Sequence, residues 1–224
     1  MIKIENVEVL GWESAIRGLR NPLNSWDKSD SHYCNEDCPM VEYDHEPAIE
    51  CNNGEYGYCI GANDLNLMNI LARAGSDHAK YRRMITVYLD ITAPLYWWKE
   101  FDTYKVGTVA NSCSTMHKIH DKEFTLEEFS YEHLGAEEID IYDTILFSLN
   151  WNRCKFIETK DKTYWWKMIQ LLPSSYNQKR TVLLNYEVLA NMYKSRKNHK
   201  LDEWREFCEW IASLPYSEII TGGK

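Results

Sequence analysis

The hydrophobic and polar positions of the chain predict a mixture of strands and helices. Residues 85–92 alternate strictly between aliphatic and polar, which is typical of a strand with one buried face. A less regular alternation predicts another strand within residues 1–10. Elsewhere apolar residues recur every three or four positions, as on the buried face of a helix. The predicted helices cover 14–20, 63–74, 94–104, 141–149, 164–172, 175–195 and 201–214.

Two local signals mark where helices begin. Pro94 follows the most regular strand, and proline is tolerated in the first turn of a helix because no N–H is needed there. Thr125-Leu-Glu-Glu128 has the sequence of a capping box and predicts a helix start in the second half of the chain. The small, polar stretch 106–115 lies between these signals and predicts a loop suited to holding a ligand.

Residues 22–59 show no sustained period and are rich in Asn, Asp, Ser, Cys, Gly and Pro. This composition indicates a long surface insertion within a single domain that spans 1–224. Four of the seven cysteines lie in the insertion, namely Cys34, Cys38, Cys51 and Cys59. Together with His32 and His45 they could surround one zinc ion, although they lack the paired two-residue spacing of a zinc ribbon. The alternative is that they are incidental thiols.

The 25 Lys and Arg residues against 34 Asp and Glu residues give the chain a net charge of −9. An acidic balance argues against nucleic acid or a membrane surface as a partner, because both require a basic face. The chain has no apolar run as long as a membrane span and no signal peptide, so we expect a cytoplasmic protein. Any anionic ligand must then be held by a local group of cations.

Two segments before residue 120 contain positively charged side chains that could contact an anionic ligand. Lys99 and Lys105 precede the hydroxyl-bearing stretch 106–115, and such groups can cradle an anion. An ordinary polar junction would have the same composition. His78 opens a cationic run over 78–83, where it is either a ligand contact or a surface residue. The sequence has none of the glycine-rich phosphate-binding motifs and no G-x-S-x-G, so nucleotide kinases, Rossmann dehydrogenases and α/β-hydrolases are disfavoured.

A third group of polar residues lies near the C-terminus. Asn185, Asn191 and Arg196 follow one another along the helix predicted from residue 175. Two carboxamides and a guanidinium near one face can hydrogen-bond a heterocycle. An exposed polar helix face is the alternative.

These groups, in this order, resemble the flavin-dependent thymidylate synthase family, ThyX. That family has Ala-Pro at the start of a helix, and here Ala93-Pro94 takes this position. The family signature is Arg-His-Arg, seven residues and Ser, where this chain has Thr103-Tyr104-Lys105, seven residues and Cys113. The other matches are His78, the segment 15–20, Leu172-Pro173, Asn185, Asn191 and Arg196.

The resemblance implies an α/β fold of the ThyX type, a small antiparallel sheet wrapped by helices, assembled as a homotetramer. It implies a bound FAD that NADPH reduces, methylenetetrahydrofolate as one-carbon donor, and methylation of dUMP at C5. Arg196 would contact and polarise the pyrimidine. Cofactor contacts are implied for His78, Lys105, Asn185 and Asn191, and nucleotide contacts for Glu100, Asn111, Cys113 and Ser114.

The chain departs from the family at several binding positions. Thr115 and Ile169 stand where the family has phosphate-binding arginines, and Glu100 replaces a glutamine. Nearby cations that could substitute are Lys118, Lys167, Lys179 and Arg180. Two alternatives therefore stay open. One is C5 methyl or hydroxymethyl transfer to another pyrimidine nucleotide such as dCMP, and the other is a non-catalytic binding module with the same fold.

Overall fold

The computed structural model describes residues 2–33 and 58–222, which contain six strands and eight α-helices joined by turns and short 3₁₀ segments. The strands are β1 (Lys3–Leu10), β2 (His32–Tyr33), β3 (Tyr58–Cys59), β4 (Thr86–Pro94), β5 (Val109–Ser112) and β6 (Asn177–Asn185). The helices are α1 (Trp12–Arg20), α2 (Ala62–Arg73), α3 (Leu95–Phe101), α4 (Ala136–Thr159), α5 (Lys162–Leu171), α6 (Tyr186–Arg196), α7 (Asp202–Ser213) and α8 (Glu218–Thr221). None of these helices is long and apolar enough to cross a membrane.

Four strands form a small antiparallel sheet in the order β1-β4-β6-β5, and β2 pairs separately with β3. The strands predicted within 1–10 and over 85–92 are confirmed as β1 and β4. On β4 the side chains of Val87, Leu89 and Ile91 are completely buried, as their alternation predicts.

The helix predicted over 175–195 is wrong in its first half, because β6 occupies residues 177–185 and only α6 is helical. Val182 and Leu184 are buried at a spacing of two, which is the period of a strand. The two-residue period is hard to recognise in the sequence, because β6 begins with polar residues and α6 follows it directly. The stretch 106–115, predicted as a loop, also contains a strand, β5, all of whose residues are exposed.

The capping box predicted at Thr125 does not form. Its side chain makes no cap hydrogen bond, and only a 3₁₀ turn, Leu126–Glu128, follows it. The long helix α4 begins later, where the Glu138 carboxylate accepts a hydrogen bond from the Gly135 N–H at 2.9 Å. The helix predicted over 141–149 forms but is much longer, since α4 runs from Ala136 to Thr159. The other predicted helices are confirmed within a few residues, although α3 ends at Phe101 rather than near residue 104.

The chain divides into two compact units, which are described separately. The first unit comprises Met1–Val7, Leu89–Lys105 and Val109–Val182. In it α4 packs against α5 as a helical hairpin. Its core contains one cluster of buried side chains, Ile119, Phe124, Phe129, Leu149 and Met168. Burying such side chains contributes about 1.5–3 kcal/mol each to folding.

The second unit comprises Glu8–Tyr88, Val106–Thr108 and Leu183–Lys224. Helix α6 packs against α7, α8 and the 3₁₀ segment Ala79–Met84. The Tyr186 ring meets Trp12 edge to face at 5.2 Å between centroids, and the Tyr186 hydroxyl donates to the Pro215 carbonyl at 2.6 Å. Helix α6 is therefore held on several sides, and its first residue is fixed within this unit.

The ends of the predicted insertion come together in the second unit. His32 pairs with Cys59 and Tyr33 with Tyr58 in the two-residue strands β2 and β3. Asp30 then caps α2, because its carboxylate accepts hydrogen bonds from the N–H groups of Asn63 and Asp64 at 2.9 and 3.1 Å. Four of the zinc candidates, Cys34, Cys38, His45 and Cys51, lie outside the described residues.

Candidate functional site

Arg196 is the last residue of α6 and is half-buried. Its guanidinium carbon lies 4.8 Å from the ring centroid of Trp204, a completely buried residue of α7. A guanidinium stays protonated and donates from the edge of a plane. The buried indole therefore supports the guanidinium from one side, and the five N–H donors of a guanidinium suit hydrogen bonding to a polar heterocycle.

Asn185 ends β6 and caps α6. Its Oδ1 accepts a hydrogen bond from the Val188 N–H at 3.0 Å, which satisfies one of the free donors at the helix start. The cap uses only the oxygen. The Nδ2 group makes no hydrogen bond within the described ranges and remains a donor for a ligand.

Gly107 approaches this carboxamide closely. It has a φ of 78°, and a Cβ at this position would lie 2.8 Å from Nδ2 of Asn185. The hydroxyl oxygen of the next residue, Thr108, is buried and lacks a hydrogen-bond partner among the residues that the structure describes. Buried polar groups are normally paired, so an unpaired hydroxyl beside a glycine suits a group that binds there.

The other two predicted contacts in the second unit are exposed. His78 precedes the 3₁₀ segment that leads into β4, and its N–H donates to the Gly75 carbonyl at 3.1 Å. Asn191 lies in the middle of α6 and is separated from Arg196 by five positions, about 140° around a helix. With Asn185 at the cap, the prediction that all three residues share one helix face is wrong.

The predicted nucleotide contacts lie in the first unit. Glu100 is half-buried in the last turn of α3, and Lys105 is exposed in the segment after it. Asn111 is on the exposed strand β5, and Cys113 and Ser114 follow directly. Asn111, Cys113 and Ser114 lie close together because they are near neighbours in the sequence.

The segment after β5 is fixed on β6. The Cys113 N–H donates to the Lys179 carbonyl at 2.9 Å, and the Cys113 carbonyl accepts from Nε2 of the buried Gln178 at 2.8 Å. The Ser114 hydroxyl accepts from the N–H groups of Met116 and His117 at 3.3 and 2.8 Å. Cys113 is a free cysteine and is exposed.

Two of the cations that could replace the family arginines are already neutralised. Lys179 pairs with Asp90 at 3.0 Å, and bonds from Thr181, Asn6 and Lys179 lower the pKa of Asp90 to about 2. This network keeps the Asp90 carboxylate charged near neutral pH, so Lys179 stays engaged.

Arg180 is engaged more fully. Its guanidinium pairs with Asp102 at 2.7 Å, donates to Gln178 at 2.9 Å and lies 4.1 Å from the Trp98 ring centroid. Lys118 is exposed beside Asp121 at 3.1 Å, and Lys167 lies over the Tyr164 ring. Each of the four candidate cations therefore already interacts with another side chain of the protein.

Sequence reasoning missed Trp204, Gly107 and Gln178 as parts of the candidate site. Trp204 occurs in a regular apolar helix face, so its pattern indicates only core packing. Gly107 is a lone glycine in a polar stretch, which is the one available signal of a close backbone approach. Within residues 2–33 and 58–222, no three His, Cys, Asp or Glu side chains are grouped to hold a metal ion.

Comparison with known proteins identifies the fold. No family model matches the sequence, and no curated protein matches it by sequence. Two solved structures of flavin-dependent thymidylate synthase ThyX from Helicobacter pylori, both with FAD and dUMP, match with 13% identity. One has a TM-score of 0.64 and covers 97% of this chain and 96% of its own, and the other has 0.65, 98% and 96%. The expected ThyX-type fold is thereby confirmed.

Proposed function

We propose that this chain is a FAD-dependent thymidylate synthase-like enzyme that methylates dUMP at C5. The observation that carries the proposal is the agreement of two independent features. The chain has the ThyX fold over 97% of its length, and the signature-like residues from Ala93-Pro94 to Arg196 occur along it in the family's order. Methylenetetrahydrofolate would donate the one-carbon unit and NADPH would supply the reducing equivalents.

The residues present fit a flavin cofactor by their donor chemistry. In the second unit the free Nδ2 group of Asn185 and the exposed side chains of Asn191 and His78 can donate to ring and phosphate oxygens. The unpaired hydroxyl of Thr108 supports this assignment. In the first unit the exposed ammonium of Lys105 can meet an anionic group. When bound, FAD would supply the electron transfer that the protein side chains cannot.

Arg196 would act on the pyrimidine. Negative charge develops on the ring oxygens when C5 becomes nucleophilic, and a fixed guanidinium stabilises it most when it is already in place. The stacking on Trp204 provides this fixed plane. Asn111, Cys113 and Ser114 would contact the nucleotide. The Cys113 thiol is not assigned as a nucleophile, because flavin-dependent chemistry requires none.

A second candidate substrate is a cytosine nucleotide such as dCMP. Glu100 stands where the family has a glutamine, and a carboxylate accepts a hydrogen bond from an exocyclic amine. Glu100→Gln would then shift binding from dCMP towards dUMP.

Purified protein tests the proposal directly. We expect it to carry or bind FAD, to oxidise NADPH, and to release the C5 hydrogen of dUMP when methylenetetrahydrofolate is added. Arg196→Ala should lower turnover by about 100-fold or more. Arg73→Ala, which removes an exposed arginine of α2, is the matched control and should leave turnover unchanged.

Protein that stays colourless with added FAD would contradict the proposal and favour a non-catalytic module. Turnover of dCMP without turnover of dUMP would favour the second substrate. The homotetramer and the zinc site stay predictions, and light scattering and elemental analysis of the full chain measure them. Two of the zinc candidates lie in the described ranges, Cys59 and His32, which pair across β2 and β3.

A further inference from the structure

The turn between α6 and α7 brings Trp204 under Arg196. Arg196 ends α6, and Trp204 lies in the first turn of α7, eight positions later. The guanidinium carbon is 4.8 Å from the indole centroid, within the range of a cation–π contact. Trp204 is completely buried whereas Arg196 is only half-buried. The indole is thus a buried platform for a half-buried cation.

The turn itself is closed by hydrogen bonds. The His199 N–H donates to the Arg196 carbonyl at 2.9 Å, and the Leu201 N–H donates to Nδ1 of His199 at 3.2 Å. The Arg205 guanidinium donates to the carbonyls of His199 and Lys200 at 2.9 and 3.1 Å. These bonds fix where α7 starts, and therefore where its first-turn indole lies.

The Trp204 ring is also held by aromatic neighbours. His199 meets it edge to face at 6.3 Å, and Phe207 does so at 6.0 Å. A buried indole with ring contacts of this kind has little freedom to rotate. Flexible arginine side chains lose rotamer freedom when they are ordered, so a rigid platform lowers the entropy lost when Arg196 meets a substrate.

We propose that Trp204 is a positioning residue for Arg196. This inference rests on the proposed function, because it concerns how the guanidinium is held for the pyrimidine. The indole face keeps the guanidinium plane in one orientation, so that its N–H edge is in place before charge develops on the ring. Lysine cannot reproduce this, since an ammonium has no plane to stack.

The test compares Trp204→Phe and Trp204→Leu with Ile211→Ala, which truncates a completely buried side chain of the same helix about two turns further along. We expect Trp204→Leu to lower kcat about tenfold with little change in KM for dUMP, and Trp204→Phe to lower it about threefold. Ile211→Ala should lower the melting temperature as much as Trp204→Leu does, without the loss of kcat.

A double-mutant cycle identifies the route of the effect. In an Arg196→Lys background, Trp204→Leu should cause no further loss of kcat, because the stacked plane is already absent. Equal losses in both backgrounds, or an unchanged kcat in Trp204→Leu, would overturn the inference.

One measurement is independent of activity. The Nε–H resonance of Arg196, assigned by its absence in Arg196→Lys, should be shifted by the indole ring current and should return to its ordinary position in Trp204→Leu. An inactive wild type that shows this shift would refute the proposed function and leave the pair intact. An active wild type without the shift would refute the positioning role.

Discussion

The carboxylate of Asp64 accepts a hydrogen bond from Nε of Arg20 at 2.6 Å, and both side chains are almost completely buried. The same carboxylate accepts bonds from the hydroxyls of Ser29 and Ser31 at 2.7 and 2.6 Å. The ion pair therefore joins α1, the residues before β2, and α2. It is the point at which the start of the predicted insertion is attached to the second unit.

Asp64→Asn should destabilise the protein by about 3 kcal/mol, because the buried guanidinium of Arg20 then lacks its negatively charged partner. Urea unfolding at neutral pH measures the change. Asp27→Asn replaces an exposed acid in the neighbouring 3₁₀ turn, Trp26–Lys28, and should be neutral within about 0.5 kcal/mol. Equal effects of the two substitutions would contradict the assignment.

The Asp64 effect should depend on pH. Burial raises the pKa of the Asp64 carboxyl, but bonds from Ser31, Ser29 and Arg20 outweigh it, and the pKa lies below 3.8. A lowered pKa stabilises the fold above the unfolded value, and this contribution is lost as pH falls through the folded value. The difference between wild type and Asp64→Asn should therefore be constant near neutral pH and shrink below a pH of about 4.

Asn185 allows its helix-capping role to be separated from its proposed role towards FAD. Asn185→Ala loses the cap of α6 and should lower the free energy of unfolding by about 1 kcal/mol. Asn185→Asp keeps an acceptor for the Val188 N–H and should be nearly as stable as wild type. It lacks the Nδ2 donor, however, so its FAD affinity should fall about tenfold. Wild-type affinity in Asn185→Asp, measured by flavin fluorescence, would remove Asn185 from the cofactor contacts.

The sequence predicts elements well where one face is consistently apolar. The helix α7 buries Trp204, Phe207 and Ile211 at helical spacing, and β4 buries every second residue, so both were predictable. Strand β5 has four exposed residues and thus no hydrophobic signal. Strand β6 runs into α6 without an intervening loop, so a two-residue period is followed at once by a helical one.

The candidate site shows the same limit. Arg196 and Asn185 could be proposed from their order along the chain, because the family resemblance preserves that order. The platform function of Trp204 could not, since a buried tryptophan has the same pattern whether or not a cation stacks on it. The neutralisation of Arg180 by Asp102 is also invisible in sequence, because the two residues are far apart along the chain and meet only in the fold.

Gly107→Ala tests the close approach to Asn185. Alanine at a φ of 78° is strained by about 1–2 kcal/mol, and its Cβ would also lie 2.8 Å from Nδ2 of Asn185. Gly75→Ala is the matched control, because Gly75 has a φ of 110° and open space around it. We expect Gly107→Ala to be the less stable variant and the only one that loses FAD affinity. Similar stability and FAD affinity in the two variants would contradict the functional importance of the close approach between Gly107 and Asn185.

Cysteine alkylation should distinguish Cys208 from Cys113. Burial raises the pKa of the Cys208 thiol to about 11, outweighing the opposite effect of Arg196, and the side chain is almost inaccessible. Cys113 is exposed, as is Cys154. Iodoacetamide at a pH of about 8 should therefore label the exposed thiols at least about 100-fold faster than Cys208, as followed by peptide mass spectrometry. The difference should vanish in denaturant. Rapid labelling of Cys208 in the folded protein would contradict the packing of α7 beneath Arg196.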